Sequence, residues 1–433
     1  MALAEVFERV AGPDAPVEFI AYDGSRAGAA DSPIKINVRT PTAVSYLAQA
    51  PGGLGLARAY VSGHLDVEGD MYAALARMLN AQRIDIDLAE RLRVLRQLGG
   101  ARVLLPRVPP PPQEVRVNRR WLSGRRHSKD RDASAISHHY DVSNTFYEWV
   151  LGPSMAYTCA CYPTADATLE QAQAYKFDLV ARKLALKPGM RLLDVGCGWG
   201  SMVIHAAREY GVQALGVTLS AEQAAWAQRA IKEAGLSSLA EVRHLDYRDV
   251  TETGFDAVSS IGLTEHIGKA QLPGYFSFLY GKLRPQGRLL NHCITRTDST
   301  EPARRPDGFI YRYVFPDGEL EAPGVLMTMM HDAGFEVRQD ENLREHYAKT
   351  LAGWCANLDD NWVQAVAEVG EGTARVCRPC TAATPARCPP PPRRRPGPSC
   401  RPGSRTSRPA FSRSAPAGSR PAAPRTRRRA SSS

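Results

Sequence analysis

The sequence predicts an α/β protein in which a parallel sheet with helices on both faces follows a smaller α+β unit. The chain has 433 residues, 43% of them hydrophobic, which suffices for a substantial core and more than one domain. From residue 138 to about 357, strand and helix patterns alternate, as in sheets whose parallel strands are joined by helices. A glycine-rich turn at residues 196–200 marks the expected ligand site.

The predicted smaller unit occupies residues 1–105. Residues 16–25 predict a strand and a turn, and residues 34–38 predict a second strand because apolar and polar side chains alternate strictly. Helical spacing of apolar residues then runs from 40 to 79. The prolines that follow lack amide donors and favour an extended backbone, so we expect residues 106–137 to form a Pro-rich and basic linker.

Positive charge is concentrated in two segments of a chain whose formal net charge is +10. Residues 377–433 hold 14 arginines and no lysine or acidic residue, and they are rich in Pro, Ser, Gly and Ala. Such a composition has few apolar side chains to bury, so we expect residues 373–433 to be a disordered Arg/Pro-rich tail. The second segment, the basic run, comprises Arg116, Arg119, Arg120, Arg125, Arg126, Lys129 and Arg131, with Trp121 and Leu122 among them.

The basic run has two open interpretations. It is either a solvated loop or a surface for anionic lipid headgroups, where each Lys or Arg contributes on the order of 1 kcal/mol and Trp121 suits the interface. Nucleic acid is disfavoured as a partner because no recognition module surrounds the run.

The cysteines and the apolar segments indicate a cytoplasmic protein. Nine cysteines follow no regular pairing, as is usual in a reducing compartment. We expect no signal peptide, and no stretch approaches the ~18 apolar residues of a spanning helix. Cys377 and Cys380 resemble half a zinc site, but no second pair follows at suitable spacing, so we expect no metal.

The glycine-rich turn follows a predicted strand at residues 191–195 and opens a predicted helix at 201–210. Gly196, Gly198 and Gly200 let the backbone turn sharply and approach a ligand, beside the free amides of the helix start. The spacing Asp-x-Gly-x-Gly-x-Gly resembles the first motif of S-adenosylmethionine-dependent methyltransferases. It differs from the dinucleotide fingerprint Gly-x-Gly-x-x-Gly, which leaves a nicotinamide or flavin site as the rival interpretation.

Polar residues lie where the later predicted strands end. Ligands of such sheets bind beyond the carboxyl ends of the strands, so we expect Asp246, Glu265 and His292 to cluster at one edge. The strands themselves are predicted at residues 214–218, 240–246, 255–261 and 287–294.

Six ordered motifs together resemble the cyclopropane-fatty-acid synthase family, which includes the mycolic acid cyclopropane synthases and related fatty acid methyltransferases. The resemblance implies a Rossmann-like class I methyltransferase domain at 138–372 and a lipid-associated N-terminal domain, with residues 55–63 similar to longer bacterial members. Relatives continue past Val376 with an apolar helix and strand, and a frameshift would explain their absence here. The motifs are residues 139–144, 157–162, 194–200, 217–223, 246–249 and 262–268.

The resemblance implies S-adenosylmethionine as the cofactor. Its methyl group sits on a sulfonium and is already electrophilic, so the enzyme chiefly has to align a nucleophile with it. Thr218 stands where many dinucleotide sites place an acid, which weakens the nicotinamide interpretation. The implied cofactor residues are Tyr157, Thr158, Asp194, Gly196, Gly198, Gly200, Thr218, Leu219, Gln223, Asp246 and Tyr247.

The resemblance also implies a bicarbonate ion that acts as base. The nucleophile would be an alkene, and the carbocation left on the adjacent carbon must lose a proton, so a base and negative electrostatics have to lie near the acyl chain. His292 and Tyr347 would serve as donors, because two carboxyl-type groups cannot both stay ionised at close range without help. The implied catalytic residues are Cys159, Glu265, His292, Ile294 and Tyr347.

The function implied is transfer of a methyl group to the double bond of an unsaturated phospholipid acyl chain, giving a cyclopropane or a methylene branch. We expect peripheral contact with the inner face of the membrane and leave a homodimer open. Two alternatives remain, namely a small-molecule methyltransferase of the same fold and an inactive lipid-binding protein. Transfer of a labelled methyl group to lipid would distinguish methylation of a phospholipid acyl chain from both alternatives.

Overall fold

The computed structural model describes residues 2–12, 14–80, 88–115, 126–140, 142–296 and 308–382. Within these ranges the strands are β1 (Glu18–Ala21), β2 (Arg26–Gly28), β3 (Lys35–Val38), β4 (Leu65–Glu68), β5 (Arg191–Val195), β6 (Gln213–Thr218), β7 (Ala240–His244), β8 (Phe255–Ile261) and β9 (Leu283–His292). The helices are α1 (Leu3–Ala11), α2 (Pro41–Gln49), α3 (Gly53–Val61), α4 (Met71–Asn80), α5 (Leu88–Gln97), α6 (Ala101–Leu104), α7 (Lys129–Tyr140), α8 (Asn144–Leu151), α9 (Leu169–Leu184), α10 (Ser201–Tyr210), α11 (Ala221–Glu233), α12 (Thr264–Ile267), α13 (Leu272–Lys282), α14 (Phe309–Tyr313), α15 (Pro323–Asp332), α16 (Arg344–Asp360), α17 (Trp362–Val369) and α18 (Glu371–Ala382).

The N-terminal sheet has the order β2-β1-β3-β4, with β1 and β3 parallel and the other pairs antiparallel. Alternation in β3 buries Ile36 and Val38, as the sequence pattern predicts. The helical pattern expected over 40–79 is interrupted by β4, whose Leu65 and Val67 face the same core. A four-residue strand between two helices is too short for its alternation to outweigh the helical spacing around it.

The proline-rich segment 106–115 is packed against the N-terminal helices. The Val108 amide donates to Gln49 Oε1 at 2.9 Å. Arg58 donates to both carboxylate oxygens of the buried Glu114, from Nε at 2.6 Å and from Nη2 at 2.7 Å. The domain boundary that we expect between 106 and 137 stays a prediction.

The larger sheet is parallel throughout and has the order β7-β6-β5-β8-β9. Its centre is β5, in which Leu192, Leu193 and Val195 are completely buried. The strand order reverses between β5 and β8, and in such sheets the crevice beyond the carboxyl ends at this point is the usual ligand site. The predicted α/β fold class is confirmed, and the glycine-rich turn leaves β5 at this crevice.

The chain stays ordered beyond the predicted start of the tail at residue 373. Helix α18 runs to Ala382 and buries Ala374, Arg375 and Val376. Arg375 Nη1 donates to Asp66 Oδ1 at 3.1 Å, which ties the helix to the N-terminal sheet. Composition underestimated this helix because a buried arginine with a carboxylate partner resembles tail residues in sequence. The remainder of the predicted tail, 383–433, lies outside the described residues.

Candidate active site

The glycine-rich turn adopts backbone conformations that favour glycine. Gly196, Gly198 and Gly200 have φ angles of +73°, +56° and +78°. A Cβ at Gly200 would lie 3.0 Å from Ala227 Cβ, whereas one at Gly198 would meet nothing nearer than Gln223 Nε2 at 3.9 Å. Gly200 therefore allows the helix after the turn to pack closely, and Gly198 leaves open space beside a polar side chain.

A first cavity lies beyond the carboxyl ends of β5, β6 and β8. Most of the predicted cofactor residues line it, but Gly200 and Asp246 do not. The Asp246 carboxylate is instead held by Arg248, whose Nε and Nη2 donate to it at 2.8 and 2.6 Å. The predicted residues that line this cavity are Tyr157, Thr158, Asp194, Gly196, Gly198, Thr218, Leu219, Gln223 and Tyr247.

Two polar pairs at the base of the first cavity fix which atoms face a ligand. The Thr218 hydroxyl donates to Gln223 Oε1 at 2.8 Å, which leaves the Gln223 amide hydrogens for an acceptor in the cavity. The Ser259 hydroxyl donates to Asp194 Oδ1 at 2.6 Å. Burial raises the pKa of Asp194 to about 6, against the opposing effect of that hydrogen bond, so the carboxylate is ionised at neutral pH.

Helix α7 covers part of the first cavity, with Asp132 and Ile136 in its lining. Arg131 donates to both oxygens of Asp317, from Nε at 2.6 Å and from Nη2 at 2.8 Å. Arg248 Nη2 donates to Asp132 Oδ2 at 2.9 Å. These ion pairs hold the helix over the cavity. Sequence reasoning missed this contribution, although Arg248 lies within the predicted motif 246–249 and was a detectable signal.

The described members of the basic run form ion pairs with acidic side chains of the protein. Arg131 binds Asp317, Arg126 Nε lies 3.6 Å from the same carboxylate, and Lys129 pairs with Asp249. Two of these members, Lys129 and Arg131, belong to α7, and both interpretations of the basic run stay predictions. The other members, Arg116, Arg119, Arg120, Trp121, Leu122 and Arg125, lie outside the described residues.

A second cavity of about 2100 Å³ adjoins the first, and all five predicted catalytic residues line it. Its walls carry many apolar side chains from β9, α15 and the segment 334–343. The residues common to the linings of both cavities include Tyr157, Thr158, Lys176, Gly262 and His266. Because the two cavities share these walls, ligands bound in them would be in contact with the same side chains.

Glu265 lies at the start of α12, just beyond the end of β8, and is 8% exposed. Its Oε1 accepts a hydrogen bond from the Ile294 amide at 2.6 Å. Its Oε2 is buried without a hydrogen-bond partner among the described atoms. Burial raises the pKa of this carboxyl to about 7, so the group exchanges a proton near neutral pH. An unpaired buried carboxyl oxygen is costly for stability and is typical of a functional site.

Two other predicted catalytic residues, His292 and Cys159, are uncharged at neutral pH. Desolvation lowers the pKa of His292 to about 4, so its imidazole is neutral. Burial raises the pKa of Cys159 to about 12, and its thiol donates weakly to the Ala160 carbonyl at 3.2 Å. A thiol that stays protonated is a donor or packing group and not a nucleophile. Tyr347 packs edge-on against Trp354, with ring centroids 6.4 Å apart.

Two findings concern what the described ranges do not contain. No helix in them is both long and apolar enough to cross a membrane. In the same ranges, no three His, Cys, Asp or Glu side chains gather as ligands of a metal ion.

Comparison with known proteins identifies the family. Residues 127–382 match the family model described as mycolic acid cyclopropane synthetase. A probable fatty acid methyltransferase of Mycobacterium tuberculosis is 55% identical over 385 residues, covering 87% of this chain and 89% of that protein. The cyclopropane-fatty-acyl-phospholipid synthase of Escherichia coli K12 is 32% identical over 351 residues, covering 78% and 82%.

A solved structure agrees with these matches. The crystal structure of the mycolic acid cyclopropane synthase CmaA1, complexed with SAH and CTAB, is 33% identical to the chain and has a TM-score of 0.53. The match covers 57% of this chain and 92% of the CmaA1 chain. SAH is the product form of S-adenosylmethionine, and the first cavity offers a glycine turn, a buried carboxylate and the Gln223 side-chain amide, which fit it. The chain is thus an S-adenosylmethionine-dependent methyltransferase that belongs to the mycolic acid cyclopropane synthase family.

Proposed function

We propose that the chain transfers the methyl group of S-adenosylmethionine to the double bond of an unsaturated fatty acyl chain of a phospholipid, giving a cyclopropane or methylene-branched acyl chain. The observation that carries the proposal is the buried Glu265 carboxyl, which has an unpaired oxygen on the wall of the second cavity. The names of the Escherichia coli and Mycobacterium tuberculosis relatives point to the same substrate class.

The size and lining of the second cavity favour a long apolar substrate. Pockets for small molecules span about 300–1,000 Å³, and this cavity has about 2100 Å³. Leu289, Leu290, Met327 and Met330 are among its apolar walls, and burial of an acyl chain against them is favourable at roughly 0.8 kcal/mol per methylene group. The flexible methionines suit a chain without a fixed shape.

The first cavity fits the cofactor, and bound S-adenosylmethionine supplies an electrophilic methyl group. Tyr157 and Thr158 lie on the wall between the two cavities and would orient the methyl end toward the acyl chain. Gln223 would donate to the ribose hydroxyls, since its acceptor oxygen is occupied by Thr218. Helix α7 would exclude water from the cavity once its ion pairs are in place.

Glu265 is suited to remove or relay the proton that the reaction releases. With a pKa of about 7 it is partly ionised at neutral pH, and Oε2 is the atom available to accept the proton. Negative charge at this position also stabilises positive charge that develops on the acyl chain. Neutral His292 can accept or donate a hydrogen bond beside it without adding a competing cation.

The proposal includes bicarbonate, which supplies a proton acceptor when it is bound. The unpaired Glu265 Oε2 fits it, because a carboxylate oxygen would accept the hydroxyl hydrogen of the ion. His292 and Tyr347 would donate to its other oxygens. The Ile294 amide already donates to Glu265, so this residue would act by holding the carboxylate and not by binding the ion.

The proposal also includes a peripheral contact with a membrane, because phospholipid acyl chains lie in a bilayer. To test the function, residues 1–433 are expressed in a host rich in oleoyl phospholipid that is fed methyl-labelled methionine, and its fatty acids are analysed by mass spectrometry. We expect oleoyl chains to gain one labelled carbon, and fragmentation distinguishes cyclopropane from methylene product. Folded protein that leaves every acyl chain unlabelled would contradict the proposal.

A further inference from the structure

Helix α9 places a lysine on the wall between the two cavities. The reaction, as proposed, assigns this lysine no role. Lys176 is 2% exposed and lines both cavities. In the described ranges its one hydrogen bond runs from Nζ to Thr158 Oγ1 at 2.9 Å, and it forms no ion pair there. Nζ also lies 4.0 Å from the ring centroid of Phe177. A neutral hydroxyl and an aromatic face compensate only part of the cost of burying an ammonium group.

The neighbours of Lys176 leave its charge incompletely balanced. The Cys159 and Cys161 thiols are neutral, because burial raises the pKa of both. The charge of Asp194 acts on the lysine and raises its pKa, but among the described residues no hydrogen bond or ion pair joins the two. Two hydrogens of the ammonium group therefore remain for a ligand.

Lys176 also orients a predicted cofactor residue. Gln173, one turn earlier on α9 and completely buried, donates from Nε2 to the Thr158 carbonyl at 2.9 Å. Lys176 donates to the hydroxyl of the same threonine. Because the hydroxyl oxygen accepts from the lysine, the Thr158 hydrogen is directed away from it and can donate to an anion on the cavity wall.

The first cavity thus contains a buried cation and a buried anion that are not paired with each other, Lys176 and Asp194. This arrangement is complementary to a zwitterionic α-amino acid, whose carboxylate and ammonium groups each need a partner of opposite charge. We propose that Lys176, together with the Thr158 hydroxyl, binds the carboxylate of the methionine part of S-adenosylmethionine. The inference rests on the proposed use of the first cavity as the cofactor site.

The test compares two ligands that differ only in this carboxylate, SAH and its decarboxylated analogue S-adenosyl-3-thiopropylamine. Titration calorimetry on the full chain measures the affinity of the wild-type protein, Lys176→Met and the control Lys187→Met. Lys187 follows α9, is exposed and lines neither cavity. We expect Lys176→Met to weaken SAH binding about 10- to 100-fold and to change the affinity for the analogue less than threefold.

The outcomes separate the inference from the function on which it rests. Equal weakening of both ligands by Lys176→Met would show a general packing role and overturn the inference, as would unchanged SAH binding. A wild-type protein that binds neither ligand would overturn the cofactor site as well. The affinity for the analogue also reports folding, because a misfolded variant would lose both ligands together with its thermal transition.

The pH dependence of SAH binding provides a second readout. Desolvation lowers the pKa of Lys176 to about 8, and a bound carboxylate would raise it. The SAH affinity of the wild-type protein should therefore fall as pH rises above about 8. The comparison is made with Lys176→Met, because the amine of the ligand titrates in both proteins. The titratable groups that face the lysine are Cys159, Cys161, Asp194 from β5 and His292 from β9. The pKa of Cys159 is about 12 and that of Cys161 lies above its usual range. The pKa of Asp194 is about 6 and that of His292 about 4. The inference would be contradicted if the ratio of the SAH affinity of the wild-type protein to that of Lys176→Met stayed constant from pH 7 to pH 9.5, the range that brackets the pKa of the lysine.

Discussion

Replacement of Glu265 by Gln should decrease activity and increase stability in the same protein. The amide keeps an oxygen that can accept the Ile294 amide hydrogen, and its volume is nearly the same. It has no ionised form and cannot accept the proton at Oε2. Loss of a positioned general base typically lowers kcat by a factor of about 10² to 10⁴, and we expect a decrease in this range.

The stability effect follows from the pKa of the carboxyl group. Burial raises that pKa from 4.5 to about 7, so the folded protein keeps a proton that the unfolded chain releases between these pH values. The free energy of unfolding of the wild-type protein therefore falls as pH rises through this window. At 1.36 kcal/mol per pH unit, the loss amounts to about 3 kcal/mol above pH 7. Glu265→Gln carries no such penalty and should gain this amount at pH 8 and almost nothing at pH 4.5.

Two assays on the same protein samples check both effects. Transfer of labelled methyl to oleoyl phospholipid gives kcat, and urea unfolding at pH 4.5 and pH 8 gives the free energies. Glu233→Gln is the matched control, because Glu233 is exposed at the end of α11 and lines neither cavity. The reasoning is refuted if Glu265→Gln keeps more than about a tenth of the wild-type kcat, or if its stability gain is the same at both pH values.

Three further predictions concern pH, the turn and helix α7. In a pH–rate profile, kcat should rise through about pH 7 as Glu265 ionises, and Glu265→Gln should lose this rise, because the pKa of His292 is about 4. Gly200→Ala should lower the free energy of unfolding by about 1–3 kcal/mol more than Gly189→Ala in urea titrations, because Gly189 has a similar φ of +80° but nothing within 4 Å of its Cβ position. Arg131→Met should weaken SAH binding about fivefold in calorimetry, since the helix that covers the first cavity loses its bidentate anchor.

Each of these predictions has a control and a contradicting result. A rise near neutral pH that survives in Glu265→Gln would assign the titration to another group. Equal destabilisation by the two glycine variants would mean that close packing at Gly200 has no cost. Arg182→Gln removes an exposed pair with Asp178 and should leave SAH affinity unchanged. A loss as large as that of Arg131→Met would point to a general charge effect.

Local patterns predicted the elements that form the site. The strand at 255–261 coincides with β8, and the predicted strands at 214–218 and 240–246 agree with β6 and β7 to within two residues. Runs of apolar residues between glycine turns identify buried parallel strands well, because few other structures place such runs there. The glycine turn then locates the first cavity without further information.

Long-range partners were not predictable in the same way. Lys176 occupies a polar position in an ordinary amphipathic helical pattern, and its burial depends on Thr158 and on a cavity built from other elements. Likewise Arg375 resembles a tail residue until Asp66 is brought next to it. Strand β9 begins four residues earlier than expected, because its first part pairs with β8 through an irregular register. In each case the deciding contact joins residues far apart in sequence.

The most direct test of the central claim uses the purified chain and S-adenosylmethionine labelled in the methyl group, with vesicles of dioleoyl or dimyristoyl phosphatidylglycerol. The two lipids share a headgroup, and only the first has double bonds. We predict one labelled carbon per modified acyl chain in the dioleoyl lipid and none in the dimyristoyl lipid. Label in both lipids, or no label in the dioleoyl lipid from protein that binds SAH, would contradict methyl transfer to the alkene.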